Sequence, residues 1–231
     1  MEENSLGKRK EELSKKYKID FDKLEKEQIK LAKDLSIKDK IDFSLVETYG
    51  AIDNVFIKNK ILSCIIVCDK NFEIIDRAYI LDKVKFPYFP GFRGYRELPA
   101  MIEVLNRLNE KPDVIFINGQ GIIHPRLGLA SHLGLASDIP TIGVSNSIVE
   151  AEAGEKDGLD ITRDGKKLGK VLVEKEGSNP LFISPGNNIS LKSAYELSKS
   201  LIKIPHKRPE PLHLASKYSK SVRKELMIEK I

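Results

Sequence analysis

Cysteine is scarce in this sequence, and the two cysteines present cannot pair within one strand. Cys64 and Cys68 lie four residues apart in the apolar run ILSCIIVCD. On a strand they would share a face, with side chains about 13 Å apart, which is too far for a disulfide. Two cysteines and scattered histidines show no zinc-binding spacing, and His206 and His213 stand in a proline-interrupted segment. The sequence thus predicts buried thiols in a reducing compartment and indicates no zinc motif.

Long apolar runs are also missing. No stretch approaches the roughly 20 apolar residues of a membrane span, and the N-terminal residues are charged, unlike a secretory signal. We therefore expect a cytoplasmic protein without a membrane partner. Neither an internal repeat nor a linker is evident, so we expect a single domain over residues 1–231, with a helical N-terminal segment at 1–44 and a core at about 45–222.

The overall composition is that of a globular protein. Hydrophobic residues make up 41% and charged residues 32% of the 231 residues, which argues against disorder. The formal net charge is +5, and lysines and arginines are dense at 8–33 and 203–230. This permits nucleic-acid binding, but two solvated helix faces explain the same pattern.

The periodicity of apolar residues predicts an α/β fold. Strands at 49–57, 61–69 and 72–84, joined by tight turns, indicate an antiparallel meander. A helix starting at Glu97 and a short one ending before Pro140 separate later strands, which indicates parallel pairing. The remaining predicted elements are helices within 8–36, 190–202 and 211–227, strands at 113–119 and 140–146, and a hairpin with its turn at 177–180. A meander continuing into parallel strands, flanked by helices, is typical of ribonuclease-H-like mixed sheets.

Three polar residues stand where sites are often found. Asp53 lies mid-strand on an apolar face, where an unpaired carboxylate is costly, so it needs a cation or hydrogen-bond donors. Glu97 begins the helix after the loop, although a first-turn carboxylate also simply favours the helix dipole. Asn118 ends a strand at the edge where open sheets place ligands, although an asparagine before glycine is also a common turn residue.

Two loops add groups suited to nucleic acid. In GQGIIHPR, glycines precede His124 and Arg126, which favours contact with a phosphate or a base, although an ordinary loop without a ligand would show the same pattern. In FPYFPGFRGYRELP, prolines stiffen a run of aromatics that suits stacking or wedging between bases, with Arg93 and Arg96 placed for phosphates. The alternative is a loop whose rings cover a core. His132, on a helix, is more typical of a packed histidine.

Several motifs together resemble the endonuclease V (deoxyinosine 3′ endonuclease) family over about residues 45–222. They are GAIDNVF, FPYFPGFRGYRELP, NGQGIIHPR, ASHLGLASDIPTIGVSNS, EGSNPLFISPGN and RPEPLHLAS. The resemblance implies a ribonuclease-H-like monomer that uses Mg²⁺ or Mn²⁺ and cuts DNA, or in some members RNA, at the second phosphodiester bond 3′ to inosine.

The resemblance also implies roles for individual residues. The catalytic positions are Asp53, Glu97, Asn118 and Asn146, of which the first three would hold the metal. The strand-separating wedge would be Pro87, Tyr88, Phe89 and Pro90, so these aromatics would face the substrate. Gly91, Gly119 and His124 would form the pocket for a flipped hypoxanthine, since an inosine mispair is cheap to unstack. Arg93, Arg96 and Arg126 remain the expected phosphate contacts.

The chain departs from the family pattern where catalysis takes place. Asn118 stands for an aspartate, Asn146 for a lysine, Asn187 for a histidine and Ser216 for another histidine. An amide removes one negative charge beside the ion, and the lost lysine removes a group that stabilises phosphate charge. Three hypotheses follow: a working metal-dependent nuclease with an unusual Asp, Glu, Asn site, a nuclease-dead nucleic-acid-binding homologue, or a structural or regulatory protein that no longer binds inosine.

Overall fold

The computed structural model describes residues 2–174 and 178–228. Its helices are α1 (Glu2–Tyr17), α2 (Phe21–Leu31), α3 (Arg93–Asn106), α4 (Leu129–Ser137), α5 (Leu191–Ser200) and α6 (Glu210–Ile228), with a 3₁₀ turn at Ala32–Asp34. Its strands are β1 (Tyr49–Ile57), β2 (Lys60–Cys68), β3 (Ile74–Lys83), β4 (Val114–Asn118), β5 (Thr141–Ser145), β6 (Glu152–Ala153), β7 (Asp160–Arg163), β8 (Lys166–Leu172) and β9 (Leu181–Asn187).

Within the described residues the strands form one nine-stranded mixed sheet in the order β3-β2-β1-β4-β5-β9-β8-β7-β6. The predicted antiparallel meander β1-β2-β3 and the parallel pairs β1-β4 and β4-β5 are confirmed. The hairpin of β8 and β9 is antiparallel as predicted, and Gly177 in its turn lies outside the described residues. Strands β6 and β7, which extend the sheet beyond β8, were not predicted because their runs are short and polar.

Helices cover both faces of the sheet. Met101 and Val104 of α3 and Leu133 of α4 pack with Ile52 and Ile65 on one face. Ala194 of α5 and Leu212 of α6 pack with Tyr49, Ile66 and other strand residues on the opposite face. Burying a large apolar side chain in this way contributes about 1.5–3 kcal/mol, and the two layers fix where the strand ends lie.

Helix α3 corrects the predicted helix start. It begins at Arg93 and not at Glu97, so Glu97 falls in the second turn and the favourable first-turn dipole interaction does not account for it. Its N-cap Phe92 makes no side-chain capping bond, and Pro99 lies inside the helix, so neither local signal marked the start.

The prediction that both cysteines are buried, unpaired thiols is confirmed. Cys64 and Cys68 are buried free thiols on β2, and burial raises the pKa of each to about 12. They are therefore protonated and unreactive under ordinary conditions. In residues 2–174 and 178–228, every helix is too short or too polar to cross a membrane.

Candidate active site

Asp53, Glu97 and Asn118 line one small cavity of about 20 Å³, which we call the carboxylate cavity. Asp53 comes from mid-β1, Glu97 from α3 and Asn118 from the end of β4. Strands β1 and β4 are parallel, with Ile52 opposite Ile117, so the neighbouring polar residues lie at the same level of the sheet. A cavity of this volume has room for about one water molecule or ion. The structure thus brings together the three residues for which the sequence predicts metal binding.

Glu97 is buried, and its carboxylate already has a cationic partner. Arg93 Nε donates to Glu97 Oε1 at 2.8 Å and Arg93 Nη2 donates to Oε2 at 3.2 Å, which is a bidentate pair. Asn54 Nδ2 adds a third bond to Oε2 at 3.0 Å. Burial acts to lower the pKa of Arg93, but the bonds and charge of Glu97 outweigh it and raise that pKa. The guanidinium therefore neutralises Glu97, and it is committed to this carboxylate where the sequence predicted a phosphate contact.

Asp53 has its partner on the other face of the sheet. Its Oδ2 accepts a short hydrogen bond from Ser219 Oγ of α6. Side chains alternate along a strand, so Asp53 points towards α6 and the next residue, Asn54, points towards α3 and Glu97. The predicted apolar surroundings of Asp53 are confirmed, because Val55 and Ile57 share its face and pack with α6.

Sequence reasoning missed Asn54 and Ser219. Asn54 could have been found, since the residue after Asp53 must lie on the face that carries α3. Ser219 gave no local signal, because it is one of several serines on α6. Asn54 Oδ1 is buried without a hydrogen-bond partner among the described residues, and it lies at the carboxylate cavity.

The oxygen donors at this cavity fit a divalent metal ion in type. Two carboxylates, the amide of Asn118 and the orphaned Asn54 Oδ1 are the hard oxygen ligands that Mg²⁺ and Mn²⁺ prefer. Arg93 competes with an ion for Glu97, because both would neutralise the same carboxylate.

Asn146, predicted to be catalytic, lies elsewhere. It is exposed just after β5 and lines a separate cavity of about 560 Å³, together with Lys207 and Arg208. Ser145 at the end of β5 instead lines the cavity next to the loop 86–99. Asn146 thus does not line the carboxylate cavity, unlike the other three residues predicted to be catalytic.

A larger cavity of about 550 Å³ adjoins this loop, and we call it the loop cavity. Its lining includes Tyr88, Pro90, Gly91, Gly119 and His124, which combines predicted wedge and pocket residues. Tyr88 is 52% exposed, so its ring is available to a ligand. Arg93 lines both cavities, so they are neighbours.

The other aromatics of the loop face inwards, which corrects part of the wedge prediction. Phe89 is only 6% exposed, and its ring lies 4.8 Å from that of Phe21 in α2. Phe92 packs against the same Phe21 at 5.0 Å, and Pro87 is half-buried. The alternative interpretation, that rings cover a core, therefore holds for Phe89, because α2 supplies an aromatic partner.

Arg126 and Gln28 fix the backbone of the loop 86–99 by hydrogen bonds. Arg126 Nε donates to Gln28 Oε1 at 2.8 Å, and Gln28 Nε2 donates to the carbonyl of Gly91 at 2.9 Å. Arg126 also pairs with Glu25 at 3.3 Å. Gly91 has φ +80°, which favours glycine, and a Cβ there would push aside the Arg126 guanidinium, whose Nη2 would lie 2.3 Å away.

Arg96 is likewise engaged within the protein. Its Nη1 donates to the carbonyl of Phe86 at 2.7 Å, and its guanidinium lies 4.3 Å from the centroid of the Phe56 ring. The donors of Arg96 and Arg126 are thus used to brace the loop, and their geometry gives no support to the predicted phosphate contacts.

His124 is held as a neutral imidazole. Burial, followed by the charges of Arg126 and Arg163, lowers its pKa to about 4. Its Nδ1 accepts a hydrogen bond from the backbone N–H of Arg126 at 3.1 Å. A neutral ring whose Nδ1 accepts must carry its proton on Nε2, so His124 offers a hydrogen-bond donor. His132 is buried against Gly94 as predicted for a packed histidine.

Comparisons with known proteins bear on this arrangement. A model of the family described as Endonuclease V matches residues 29–217. The endonuclease V of Thermosipho melanesiensis is 38% identical over 201 residues, covering 84% of this chain and 84% of that protein. A crystal structure of Ciona intestinalis endonuclease V, in complex with a DNA 24mer containing an inosine followed by a ribo-adenosine, has a TM-score of 0.81 at 26% identity, covering 89% and 98% of the two chains. The catalytic domain of human endonuclease V gives a TM-score of 0.79 at 25% identity, covering 87% and 95%.

Proposed function

This chain belongs to the endonuclease V family, and from that premise we propose that it recognises inosine in nucleic acid and cuts the second phosphodiester bond 3′ to it, slowly and with a divalent metal. The observation that carries the proposal is the loop cavity. It joins an exposed Tyr88, the bare backbone of Gly91 and Gly119, and the imidazole of His124 in one concave site.

Recognition would use the chemistry of a flipped purine base. Hypoxanthine presents acceptors at O6 and N7, as guanine does, and neutral His124 offers an Nε2–H donor. Tyr88 offers an exposed ring for stacking, which is worth about 1–3 kcal/mol per base. Gly91 and Gly119 leave room for a base against the backbone. Inosine complexed by the Ciona relative supports this ligand class.

Cutting would depend on the carboxylate cavity. Asp53, Glu97, Asn118 and Asn54 would hold Mg²⁺ or Mn²⁺, and a bound ion would there activate water and polarise the phosphate, leaving 3′-hydroxyl and 5′-phosphate ends. Ser219 orients Asp53 through its hydrogen bond. Arg93 holds Glu97 in an ion pair, so an ion would bind Glu97 only after displacing Arg93. The uncharged Asn118 and the missing lysine should each cost a few kcal/mol, together roughly 10²- to 10⁵-fold in rate.

A second candidate is a nuclease-dead protein that binds inosine without cutting. The Arg93–Glu97 ion pair favours it specifically. A guanidinium fixed on the buried carboxylate supplies the positive charge that an ion would otherwise supply. In that case the loop cavity would keep its ligand while the carboxylate cavity takes no metal.

One set of assays separates these functions. Single- and double-stranded DNA and RNA, each with one inosine or with adenosine in its place, are incubated with Mg²⁺ or Mn²⁺, and binding is measured in Ca²⁺. Adenosine is the comparison because adenine has a donor where hypoxanthine has the O6 acceptor. Slow cutting at the second bond that Asp53→Ala abolishes supports the proposal. Inosine-selective binding without cutting supports the second candidate. Binding that does not distinguish inosine from adenosine contradicts both.

The variant Asn118→Asp tests the cause of slow cutting. Restoring the carboxylate should raise the rate by about 10²-fold or more, since it returns a charged oxygen ligand to the ion. Asn106→Asp is the matched control, because Asn106 is exposed at the end of α3 and lines neither the carboxylate cavity nor the loop cavity. An equal gain from Asn106→Asp would show that the charge at the carboxylate cavity is not what limits the rate.

A further inference from the structure

Two histidines and a glutamate converge at the start of α6, outside both cavities of the candidate active site. In residues 2–174 and 178–228, His206, Glu210 and His213 form the one group of three potential metal ligands whose ligand atoms all lie within 4.8 Å of one another. His206 Nδ1 lies 2.6 Å from Glu210 Oε2, and the two imidazole rings stack with centroids 3.5 Å apart. The spacing of these three residues in the sequence matches no zinc motif, because the fold of the loop and of helix α6 is what brings them together.

The loop before α6 is closed at its base and folds His206 back over the first turn of the helix. Ile202 and Pro209 form an antiparallel bridge, and the N–H of Glu210 donates to the carbonyl of Leu201 at 2.8 Å. The N–H of His206 donates to the carbonyl of Lys203 at 2.8 Å, which makes a tight turn. His206 therefore reaches the helix from the loop, while Glu210 and His213, three residues apart, share one helix face.

The donor set selects a class of ion. Two imidazole nitrogens and one carboxylate oxygen suit Zn²⁺ and its neighbours Co²⁺, Ni²⁺ and Cu²⁺, whereas Mg²⁺ and Ca²⁺ prefer oxygen alone. We propose that His206, Glu210 and His213 bind one zinc-class ion, with water as the fourth ligand of a tetrahedron.

The ligand atoms start close together, but one imidazole must turn out of the stack, because a Zn–N bond lies in the plane of its ring and two nearly parallel rings cannot both direct a nitrogen at one ion. Ligand atoms at about 2.0–2.1 Å from Zn²⁺ lie about 3.3 Å from one another in a tetrahedron. The atoms of the cluster start within 4.8 Å, and the His206–Glu210 contact needs to open by less than about 1 Å from its present 2.6 Å. His206 is 31% exposed at its side chain, which leaves the ion a path from solvent.

This site is separate from the carboxylate cavity. Glu210 and Ser219, the partner of Asp53, are nine residues apart on α6, or about 13 Å along the helix axis. An ion at the cluster would fix the loop that carries Lys207 and Arg208, two basic residues that line a cavity with Asn146. The proposal therefore predicts a structural ion that positions basic side chains and takes no direct part in cutting.

The test is metal binding by the full chain without a histidine tag. Zn²⁺ is titrated in competition with a chromophoric chelator, and Co²⁺ is followed by its visible d–d absorption, which reports a tetrahedral nitrogen–oxygen site. One ion per chain is expected. His206→Gln and His213→Gln should each weaken binding by more than the about 10- to 100-fold typical of losing an outer-shell partner. Circular dichroism checks that both variants fold.

Matched controls make the outcome decisive. Glu225→Gln changes an exposed carboxylate on the same helix, and Asp53→Asn changes the carboxylate cavity, so both should keep the wild-type zinc affinity. Absence of stoichiometric Zn²⁺ binding by the wild type, or undiminished binding by both histidine variants, would overturn the proposal. Loss of zinc in Asp53→Asn alone would place the ion in the carboxylate cavity and overturn it equally.

Discussion

The two neighbouring cavities of this protein differ in what they leave open. In the carboxylate cavity, of about 20 Å³, Glu97 is paired with Arg93 and Asp53 is bonded to Ser219. The loop cavity, of about 550 Å³, presents an exposed ring at Tyr88 and a neutral imidazole at His124. One site has both carboxylates engaged within the protein, whereas the other keeps groups free for a ligand. On the proposed function, binding and cutting would rest on largely separate sets of side chains, with Arg93 lining both cavities.

The largest effect on stability is expected from removing Arg93, the ion-pair partner of Glu97 in the carboxylate cavity. In Arg93→Met the buried carboxylate of Glu97 loses its cation, which should lower the free energy of unfolding by about 3–5 kcal/mol. Mn²⁺ should recover most of that loss by taking the place of the guanidinium. Urea unfolding with and without Mn²⁺ measures both changes.

The chain offers a matched control on the same helix. Arg107 pairs with Glu103 at the same four-residue spacing, but both side chains are about half exposed. Arg107→Met should therefore cost less than about 1 kcal/mol and show no response to Mn²⁺. Equal behaviour of the two variants would show that Arg93 does not stand in for an ion.

The next prediction concerns His124 in the loop cavity and the dependence of the free energy of unfolding on pH. The pKa of His124 is lowered from 6.5 to about 4 in the folded protein, so the unfolded chain binds more protons between these values. The contribution of His124 to stability is fully retained above about pH 6.5, falls as the pH drops towards 4, and changes no further below that. In His124→Gln this part of the loss, up to about 3 kcal/mol, should disappear.

Chemical denaturation at pH 7 and pH 4 measures the difference. Burial also lowers the pKa of His132, but that residue stays in both proteins and cancels in the comparison. An identical pH dependence of wild type and His124→Gln would mean that the imidazole of His124 is not held neutral by its surroundings.

The smallest expected effect concerns Tyr88. Tyr88→Ala should weaken binding of an inosine oligonucleotide by about 1–3 kcal/mol, because a stacking surface is lost, while the stability of the fold stays the same. Tyr79→Ala is the control, since Tyr79 is similarly exposed but lies on β3 outside the loop cavity. Unchanged affinity for the inosine oligonucleotide in Tyr88→Ala would remove the ring from the site. Titrations by fluorescence anisotropy supply the values.

How far the sequence predicts this molecule depends on the range of the interactions. The strands β1, β2 and β4 follow from local alternation and apolar runs, and the face of Asp53 follows with them. The inward turn of Phe89 depends on Phe21, 68 positions earlier, and no local pattern could indicate it. The start of α3 was missed for a related reason, because its N-cap Phe92 packs against distant aromatic residues and offers no capping side chain.

The candidate site shows the same division. The structure places Asp53, Glu97 and Asn118 around one cavity, because neighbouring strands and a covering helix meet there. The partners of the arginines were not predictable, since a guanidinium suits a phosphate and a carboxylate equally well. The metal roles of these residues and the base-binding roles of the loop stay predictions until the assays are done.

Gln28 gives the loop a property that matters before any ligand arrives. Its fully buried amide uses both ends, donating to Gly91 and accepting from Arg126, so a helix distant in sequence sets the backbone of the binding loop. A base that binds there would meet a loop whose backbone is already fixed. Little conformational entropy then remains to be lost on association, and the affinity would come from preorganisation more than from the number of contacts.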